Sequence, residues 1–211
     1  MGRPQRIPAG VYGITGPEHC SDTVSTVRAW LAAGIRTVQL RWKAATPKDY
    51  FGLARTLQGL CARKGGLFVV NDRVDVAKVL GTAVHIGPDD LPLEAVRQIL
   101  GPRAIIGVST NTPAEARRME RLGASYVGFG PLYPTASKGN LRARRSLSEL
   151  ARTVRGVSIP VIGIGGISES SIADVLAAGA RAAAVIGALN GKNPELKARK
   201  LIEAIRAHPL P

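Results

Sequence analysis

The chain is 211 residues long; 45% of its residues are hydrophobic, only 4% are aromatic, and its formal net charge is +14. This length lies in the single-domain range, and the apolar content suffices to bury a substantial core. Because aromatic residues are scarce, that core must consist mainly of Val, Ile, Leu and Ala, which is typical of a parallel sheet buried on both faces. The two cysteines exclude a disulfide framework, and their spacing fits no zinc-binding pattern.

No segment is typical of a secreted or membrane protein. The first ten residues lack the apolar stretch of a signal peptide. The apolar stretch 175–189 contains Arg181 and two glycines and is too short to span a bilayer. We therefore predict a cytoplasmic protein with no membrane partner.

The basic character of the chain has two explanations. Lys and Arg together number 29 against 15 Asp and Glu, which would suit an anionic partner such as nucleic acid or a phosphorylated substrate. The alternative is a solvated positive surface. Apart from short clusters at 142–145 and 197–200 the basic residues are spread along the chain, and no basic segment is interleaved with aromatics. We therefore predict no nucleic-acid binding, and a basic nucleic-acid-binding barrel is the non-enzymatic alternative.

Short β-rich segments alternate with helical patterns throughout. Strands are predicted over 11–15, 37–41, 67–71, 83–86, 105–109, 126–130, 161–165 and 182–186. Helices are predicted over 22–33, 47–64, 74–80, 93–100, 113–122, 147–155, 169–178 and 194–207. The alternation indicates right-handed βαβ units and a parallel sheet. Eight regular units favour a single (β/α)8 TIM barrel of the α/β class over residues 1–211, with an open doubly wound sheet as the alternative.

Capping residues support these helix boundaries. Residues that favour helix N-caps stand at Ser21, Thr46, Thr112, Ser168 and Asn193. Glycines that favour the left-handed conformation at helix C-termini stand at Gly34, Gly81, Gly101, Gly123 and Gly179.

Polar residues at the carboxyl ends of barrel strands carry function, so these ends are the first place to look for a site. The second strand ends in Gln39, Arg41 and Lys43, which share one side because strand side chains alternate. An amide and two cations on one side suit a ligand rich in anionic oxygens. A strand that merely ends in solvated charges is the alternative.

Acidic residues follow the next two strands. Asp72 comes directly after Asn71 at the end of the third strand, and Asp90 follows the fourth. Carboxylates on neighbouring strand ends suit Mg²⁺, with substrate phosphates and water completing its coordination, so we predict Asp72 and Asp90 as metal ligands. The alternative for Asp72 is an N-cap of the short third helix, and the alternative for Asp90 is a carboxylate at a helix N-terminus ahead of Pro92. His85, within the fourth strand, is interpreted as a packed, hydrogen-bonded residue without an assigned role.

The remaining strand ends offer hydrogen-bond donors. Ser109 ends the fifth strand, and the long Gly- and Pro-rich loop 128–139 after the sixth carries two hydroxyls and a lysine, as in a flap that closes over phosphates. Glycine-rich turns at Gly166 and Gly187 would let backbone N–H groups approach a phosphate after the seventh and eighth strands. Two anion sites at one rim indicate a transfer reaction between two phosphorylated small molecules.

Taken in order, the motifs at these strand ends resemble those of the thiamine-phosphate synthase family. The chain carries them as Gln39-Leu40-Arg41-x-Lys43, Asn71-Asp72-Arg73, Val84-His85-Ile86-Gly87-x-x-Asp90-Leu91, Gly107-Val108-Ser109, Gly128-x-Gly130-Pro131, Pro134-Thr135-x-Ser137-Lys138 and Gly163-Ile164-Gly165-Gly166-Ile167. Each motif is weak alone, but the ordered set is highly specific and extends over about residues 11–189. The resemblance implies a Mg²⁺-dependent transferase that joins 4-amino-2-methyl-5-hydroxymethylpyrimidine diphosphate to thiazole phosphate and releases diphosphate.

The resemblance also implies a role for each matched residue. Asp72 and Asp90 would hold Mg²⁺. The pyrimidine diphosphate would contact Gln39, Arg41, Lys43, Asn71, Lys138 and, beside the ring, Ser109. The thiazole phosphate would contact Thr135, Ser137, Gly166, Ile186 and Gly187.

The family mechanism is dissociative. The aminopyrimidine ring delocalises the positive charge left when diphosphate departs, and the thiazole nitrogen attacks without a strong general base. The protein's task is to stabilise the leaving group and to hold the partners in line. The predicted catalytic residues are Arg41, Lys43, Ser109 and Lys138.

The chain departs from the family pattern at five positions. Trp42 replaces an acidic or polar residue, Pro88 replaces Gln, Asn111 replaces His, Ser137 replaces Thr, and Gly187 replaces Ser. A backbone role for Gly187 would not need the missing hydroxyl.

Two enzyme families are alternatives. Thiazole tautomerase shares the fold, but it lacks the metal and diphosphate residues and uses a histidine after the sixth strand, where this chain has Pro131. Another phosphate-binding barrel, such as an isomerase of amino-acid biosynthesis, is disfavoured by the paired acids Asp72 and Asp90. The sequence leaves open whether the chain forms a homo-oligomer.

Overall fold

Eight parallel strands form a closed barrel in the computed structural model, which describes residues 7–135 and 143–207. Each strand pairs with its neighbours in the sequence, and the last pairs with the first, Ala184 lying opposite Tyr12. The strands are β1 Gly10–Thr15, β2 Thr37–Leu40, β3 Leu67–Asn71, β4 Ala83–Ile86, β5 Ile106–Thr110, β6 Tyr126–Phe129, β7 Val161–Ile164 and β8 Ala182–Val185. The predicted (β/α)8 barrel is confirmed, and the pairing of β8 with β1 excludes the open sheet.

A helix follows every strand and packs on the outside of the barrel. The helices are α1 Thr23–Ala33, α2 Pro47–Arg63, α3 Val74–Leu80, α4 Leu93–Leu100, α5 Pro113–Arg121, α6 Leu147–Arg155, α7 Ile172–Ala177 and α8 Pro194–Arg206. Thr46 and Thr112 cap α2 and α5 as predicted, because each side chain accepts a backbone N–H in the first turn. In the part of the chain that the structure describes, no helix is both long and apolar enough to cross a membrane.

Two of the predicted N-caps were wrong. Helix α1 is capped by Asp22 and not by Ser21. Helix α7 begins at Ile172 and not at residue 169, because Ser168 first forms a turn. The Ser168 N–H donates to Ser171 Oγ at 3.0 Å, and the Ser168 carbonyl accepts the Ile172 N–H at 3.0 Å. The bond to the Ser171 side chain pairs the Ser168 N–H within a turn that precedes the helix.

The core consists of two layers separated by the barrel wall. The larger layer, between strands and helices, is built mainly from Val, Ile, Leu and Ala, as the composition predicted. The smaller layer fills the barrel interior and includes Tyr12 and Tyr126. In the outer layer Trp30 of α1 is fully buried against Gly13 of β1, where a Cβ atom would lie 2.6 Å from the indole ring.

We expect Gly13→Ala to destabilise the protein by about 1–3 kcal/mol, because its methyl group overlaps the Trp30 ring in a close-packed layer. Gly52→Ala is the matched control. It lies within α2, where an added Cβ meets no atom within 4 Å, so it should be neutral or stabilising by up to about 1 kcal/mol. Denaturant-unfolding midpoints measure both changes, and equal midpoints for the two variants would contradict this account of the packing.

Candidate active site

A cavity of about 630 Å³ opens at the carboxyl ends of the strands, a volume typical of small-molecule sites. Most of the predicted site residues line it: Arg41, Lys43, Asn71, Asp90, Ser109, Thr135, Gly166, Ile186 and Gly187. Ser137 and Lys138 lie outside the described residues. Of the other two predicted residues, Asp72 touches Lys43 at the edge of the cavity, and Gln39 lies below it in the barrel interior.

Strand alternation places the cations of β2 as the sequence predicted. Arg41 and Lys43 both line the cavity, whereas Trp42 between them packs against the outer apolar layer. The Arg41 N–H extends the strand ladder by donating to the Thr15 carbonyl at 2.8 Å. Trp42, which departs from the family pattern, therefore packs behind the site and does not line the cavity.

Glu18, in the loop after β1, holds the segment that carries these cations. One carboxylate oxygen accepts the backbone N–H groups of Lys43 at 2.9 Å and Ala44 at 3.1 Å, and the other lies 3.9 Å from the Arg41 guanidinium. Partial burial and the positive charge of Arg41 lower the pKa of the neighbouring His19, an effect that Glu18 opposes. The sequence analysis missed Glu18, although an acidic residue in a strand-end loop was the available signal.

Tyr50 of α2 joins the ends of β2 and β3. Its hydroxyl donates to the Leu40 carbonyl at 2.8 Å and accepts the Asn71 N–H at 3.1 Å. Burial raises the pKa of Tyr50, so the hydroxyl keeps the proton that it donates. This contact was not predictable from the sequence, because Tyr50 occupies a core position of a helix and meets the strand ends only in the folded chain.

Asp72 is held in a strained backbone conformation that directs its carboxylate to the rim. Its φ angle of 55° is unusual for a residue other than glycine. The Asp72 Oδ2 atom accepts the Asn71 side-chain amide at 2.8 Å and contacts the Lys43 ammonium. Helix α3 is preceded by Arg73 without a side-chain cap, so the capping alternative for Asp72 was wrong.

Asp90 closes the loop after β4. Its Oδ2 atom accepts the Gly87 N–H at 2.7 Å, which fixes the carboxylate beside the cavity. Helix α4 begins at Leu93 after Pro92 and has no side-chain cap, so Asp90 does not cap this helix. The two predicted metal ligands therefore stand at the ends of neighbouring strands.

The loop after β6 packs directly on the end of β7. The Leu132 N–H donates to the Ile164 carbonyl at 3.0 Å, and the Tyr133 N–H donates to the Gly165 carbonyl at 2.9 Å. A Cβ atom at Gly166, whose φ angle is 63°, would overlap the backbone of this loop. Glycine is therefore required at position 166 by the approach of the loop as well as by its φ angle.

A chain of hydrogen bonds leads from the barrel interior to the cavity. Gln39 Nε2 donates to the Tyr12 hydroxyl at 2.8 Å, and the Tyr12 and Tyr126 hydroxyls lie 3.0 Å apart. The Tyr126 hydroxyl lies 3.1 Å from His85 Nδ1, and His85 Nε2 lies 2.9 Å from Ser109 Oγ. His85 is hydrogen-bonded as predicted, but it also lines the cavity, which its position within a strand did not reveal.

Comparison with known proteins identifies the family. A model described as thiamine monophosphate synthase matches residues 11–189. The chain belongs to this family. A thiamine-phosphate synthase of Chlorobium phaeobacteroides is 38% identical over 90% of this chain and 94% of its own length. Another synthase, from Natronomonas pharaonis, is 40% identical over 93% of this chain and 94% of its own length.

The solved structures agree with this family membership. The thiamine phosphate pyrophosphorylase from Pyrococcus furiosus has a TM-score of 0.86 and 32% identity to this chain, and the match covers 94% of this chain and 96% of that one. These comparisons confirm the predicted synthase family and the prediction that the chain is an enzyme.

We expect Glu18→Ala to weaken the binding of inorganic pyrophosphate by this member of the synthase family by roughly tenfold, or ~1.4 kcal/mol, because the loop that carries Arg41 and Lys43 loses its anchor. Glu18→Gln keeps an oxygen acceptor for the two N–H groups and should lose less. Titration calorimetry measures both. Glu203→Ala, which removes an exposed carboxylate near the end of α8, is the control for net charge, and an equal effect of that change would argue against the anchor.

Proposed function

We propose that this protein transfers the aminopyrimidine methylene group of 4-amino-2-methyl-5-hydroxymethylpyrimidine diphosphate to the ring nitrogen of thiazole phosphate, which yields thiamine phosphate and diphosphate. One observation carries the proposal. A single cavity has cationic side chains from β2 on one side and exposed glycine backbone after β7 and β8 on the other. Two anionic groups can therefore be held apart, with room between them for two rings.

The diphosphate is assigned to the side formed by β2 and β3. Arg41 and Lys43 supply positive charge, and Asn71 lines the same side. Their positions are fixed by Glu18 and Tyr50 before substrate arrives. Such pre-organised cations stabilise the charge that develops on a leaving diphosphate. Lys138, outside the described residues, is predicted to add a further cation.

The thiazole phosphate is assigned to the opposite side. Thr135, Gly166, Ile186 and Gly187 line it. A Cβ atom built at Gly187 would meet nothing within 4 Å, so the backbone there faces open space. Backbone N–H groups without a shielding side chain can donate closely to a phosphate, and Ser137 is predicted to join them.

The donor set at β3 and β4 is compatible with the proposed Mg²⁺. Asp72 and Asp90 offer hard carboxylate oxygens, and Asp72 Oδ2 already attracts the Lys43 ammonium. Among the described residues no group of three or more His, Cys, Asp and Glu side chains could hold a metal ion, so substrate oxygens and water would complete the coordination. Bound there, Mg²⁺ would neutralise charge on the leaving diphosphate.

The proposed reaction is dissociative. The bond between the pyrimidine methylene carbon and the diphosphate oxygen breaks, and the oxygen keeps the electron pair. The thiazole nitrogen then donates its lone pair to the methylene carbon. The protein binds both substrates, orients the nitrogen toward the carbon and excludes water. This assignment requires no nucleophilic side chain from the chain itself.

The decisive test is the coupling of the two substrates with and without Mg²⁺. We expect Mg²⁺-dependent formation of thiamine phosphate and a fall in kcat/KM of at least about 100-fold, or ~2.7 kcal/mol, in Asp72→Ala. Asp75→Ala, which removes an exposed carboxylate that pairs with Arg73, is the control and should stay within about twofold of the wild type. Folded wild-type protein that forms no product would exclude the proposal and would direct attention to thiazole tautomerisation.

The two sides of the cavity should be separable by kinetics. We expect Lys43→Ala to raise KM for the pyrimidine diphosphate by roughly tenfold and Thr135→Ala to raise KM for the thiazole phosphate by a few-fold, each with little effect on KM for the other substrate. Initial rates over a grid of both substrate concentrations measure the four values. If Lys43→Ala instead raised KM for the thiazole phosphate and Thr135→Ala raised KM for the pyrimidine diphosphate, the two anions would be assigned to the wrong sides.

A further inference from the structure

Five side chains, from Gln39 to Ser109, form a chain of hydrogen bonds in which the direction of the first bond is fixed. The Gln39 amide nitrogen can only donate, so the Tyr12 oxygen must accept. Among the described residues, the Tyr12 oxygen has one further hydrogen-bond partner, the Tyr126 hydroxyl. Both rings are fully buried. A Tyr12 proton that did not point to Tyr126 would be an unsatisfied buried donor, which is costly.

The same reasoning sets the direction of every later bond. Since Tyr12 donates to Tyr126, Tyr126 must donate to its next neighbour, His85 Nδ1, at 3.1 Å. Burial raises the pKa of both phenols, so both keep the protons that they donate. Neutral His85 then carries its proton on Nε2 and donates to Ser109 Oγ at 2.9 Å.

The barrel wall is shaped for these rings. A Cβ atom on Gly107 of β5 would overlap the Tyr126 ring, and a Cβ atom on Gly128 of β6 would lie 3.3 Å from His85 Cε1. Both glycines are in strands, where a residue without a side chain weakens the strand and marks a close approach. The space for the two rings therefore depends on these two positions.

We propose that His85 is a positioning residue which holds the Ser109 hydroxyl as a hydrogen-bond donor toward the cavity, where the family resemblance already predicts the pyrimidine ring and its nitrogen acceptors. The acceptor belongs to a substrate, so this step rests on the proposed function. Ser109 lies on β5, between the cationic side at β2 and β3 and the glycine side at β7 and β8. The part of the substrates that reaches β5 is therefore an uncharged ring and not a phosphate.

The tautomer of His85 tests the chain of hydrogen bonds without any substrate. Long-range ¹H–¹⁵N spectra of the imidazole groups, recorded at a pH where histidine is neutral, distinguish a proton on Nε2 from one on Nδ1. The signals of His85 are those lost in His85→Gln. We expect the Nε2–H form in the wild type and a mixture of both forms in Tyr126→Phe. A wild-type Nδ1–H form would overturn the proposal.

Kinetics test the consequence for substrate. Tyr126→Phe keeps the ring and removes the hydroxyl, so we expect kcat/KM for the pyrimidine diphosphate to fall by roughly tenfold, with KM for the thiazole phosphate unchanged within about twofold. Thr153→Val is the control, because it removes a buried hydroxyl on α6 that donates to the Glu149 carbonyl at 2.8 Å and takes no part in the chain of hydrogen bonds. Its kinetics and tautomer should match the wild type. Unchanged kinetics in Tyr126→Phe would overturn the positioning role.

A conservative variant separates positioning from packing. Gln at position 85 offers an N–H donor and a carbonyl acceptor on one side chain, whereas Leu offers neither. We expect His85→Gln to be at least about fivefold more active than His85→Leu, and equal activities would argue against the proposal. If the wild type has the Nε2–H tautomer but no coupling activity, the proposed function is contradicted while the chain of hydrogen bonds is not. Failure of the proposed function can therefore be distinguished from failure of the positioning role.

Discussion

The pairing of β8 with β1 is the contact on which the remaining structure depends. A closed parallel barrel has no free sheet edge, and it brings the carboxyl ends of all eight strands to one rim. Arg41 from the first quarter of the chain and Gly187 from the last therefore line the same cavity. Small residues make this closure possible, because β8 places Ala182 and Ala184 in the interior beside the bulky Tyr12 and Tyr126.

The charged side chains at the rim are held by contacts with one another, and the net charge of +14 does not predict their arrangement. Glu18, Arg41, Lys43 and Asp72 form one connected array in which every charge has an opposite neighbour. Under the proposed function, such an array would exchange its internal contacts for contacts with the proposed diphosphate and Mg²⁺ at little cost in reorganisation. The strained backbone of Asp72 belongs to the same arrangement, since strain of this kind persists only where surrounding contacts hold it.

Below the rim, the barrel interior combines an apolar filling with a single line of polar side chains. A buried polar chain is tolerated when each member is hydrogen-bonded, and Gln39, Tyr12, Tyr126 and His85 meet this condition in the order of their contacts. The line ends at Ser109 in the cavity wall. Strand residues in the barrel interior can in this way influence Ser109, which lines the cavity.

The sequence alone determined the number and order of the strands and helices, because periodicity, helix caps and glycine positions are local properties. It also placed Arg41, Lys43, Asn71, Asp90 and Ser109 at strand ends, since side chains alternate along a strand. It did not reveal Glu18, Tyr50 or the role of His85, whose partners lie on other elements and become neighbours only when the barrel closes. The start of α7 was misplaced for a related reason, because the turn at Ser168 competes with the helix through hydrogen bonds that propensity does not describe. Local pattern thus determines which residues reach the rim, and tertiary structure decides which of them hold, orient or polarise one another.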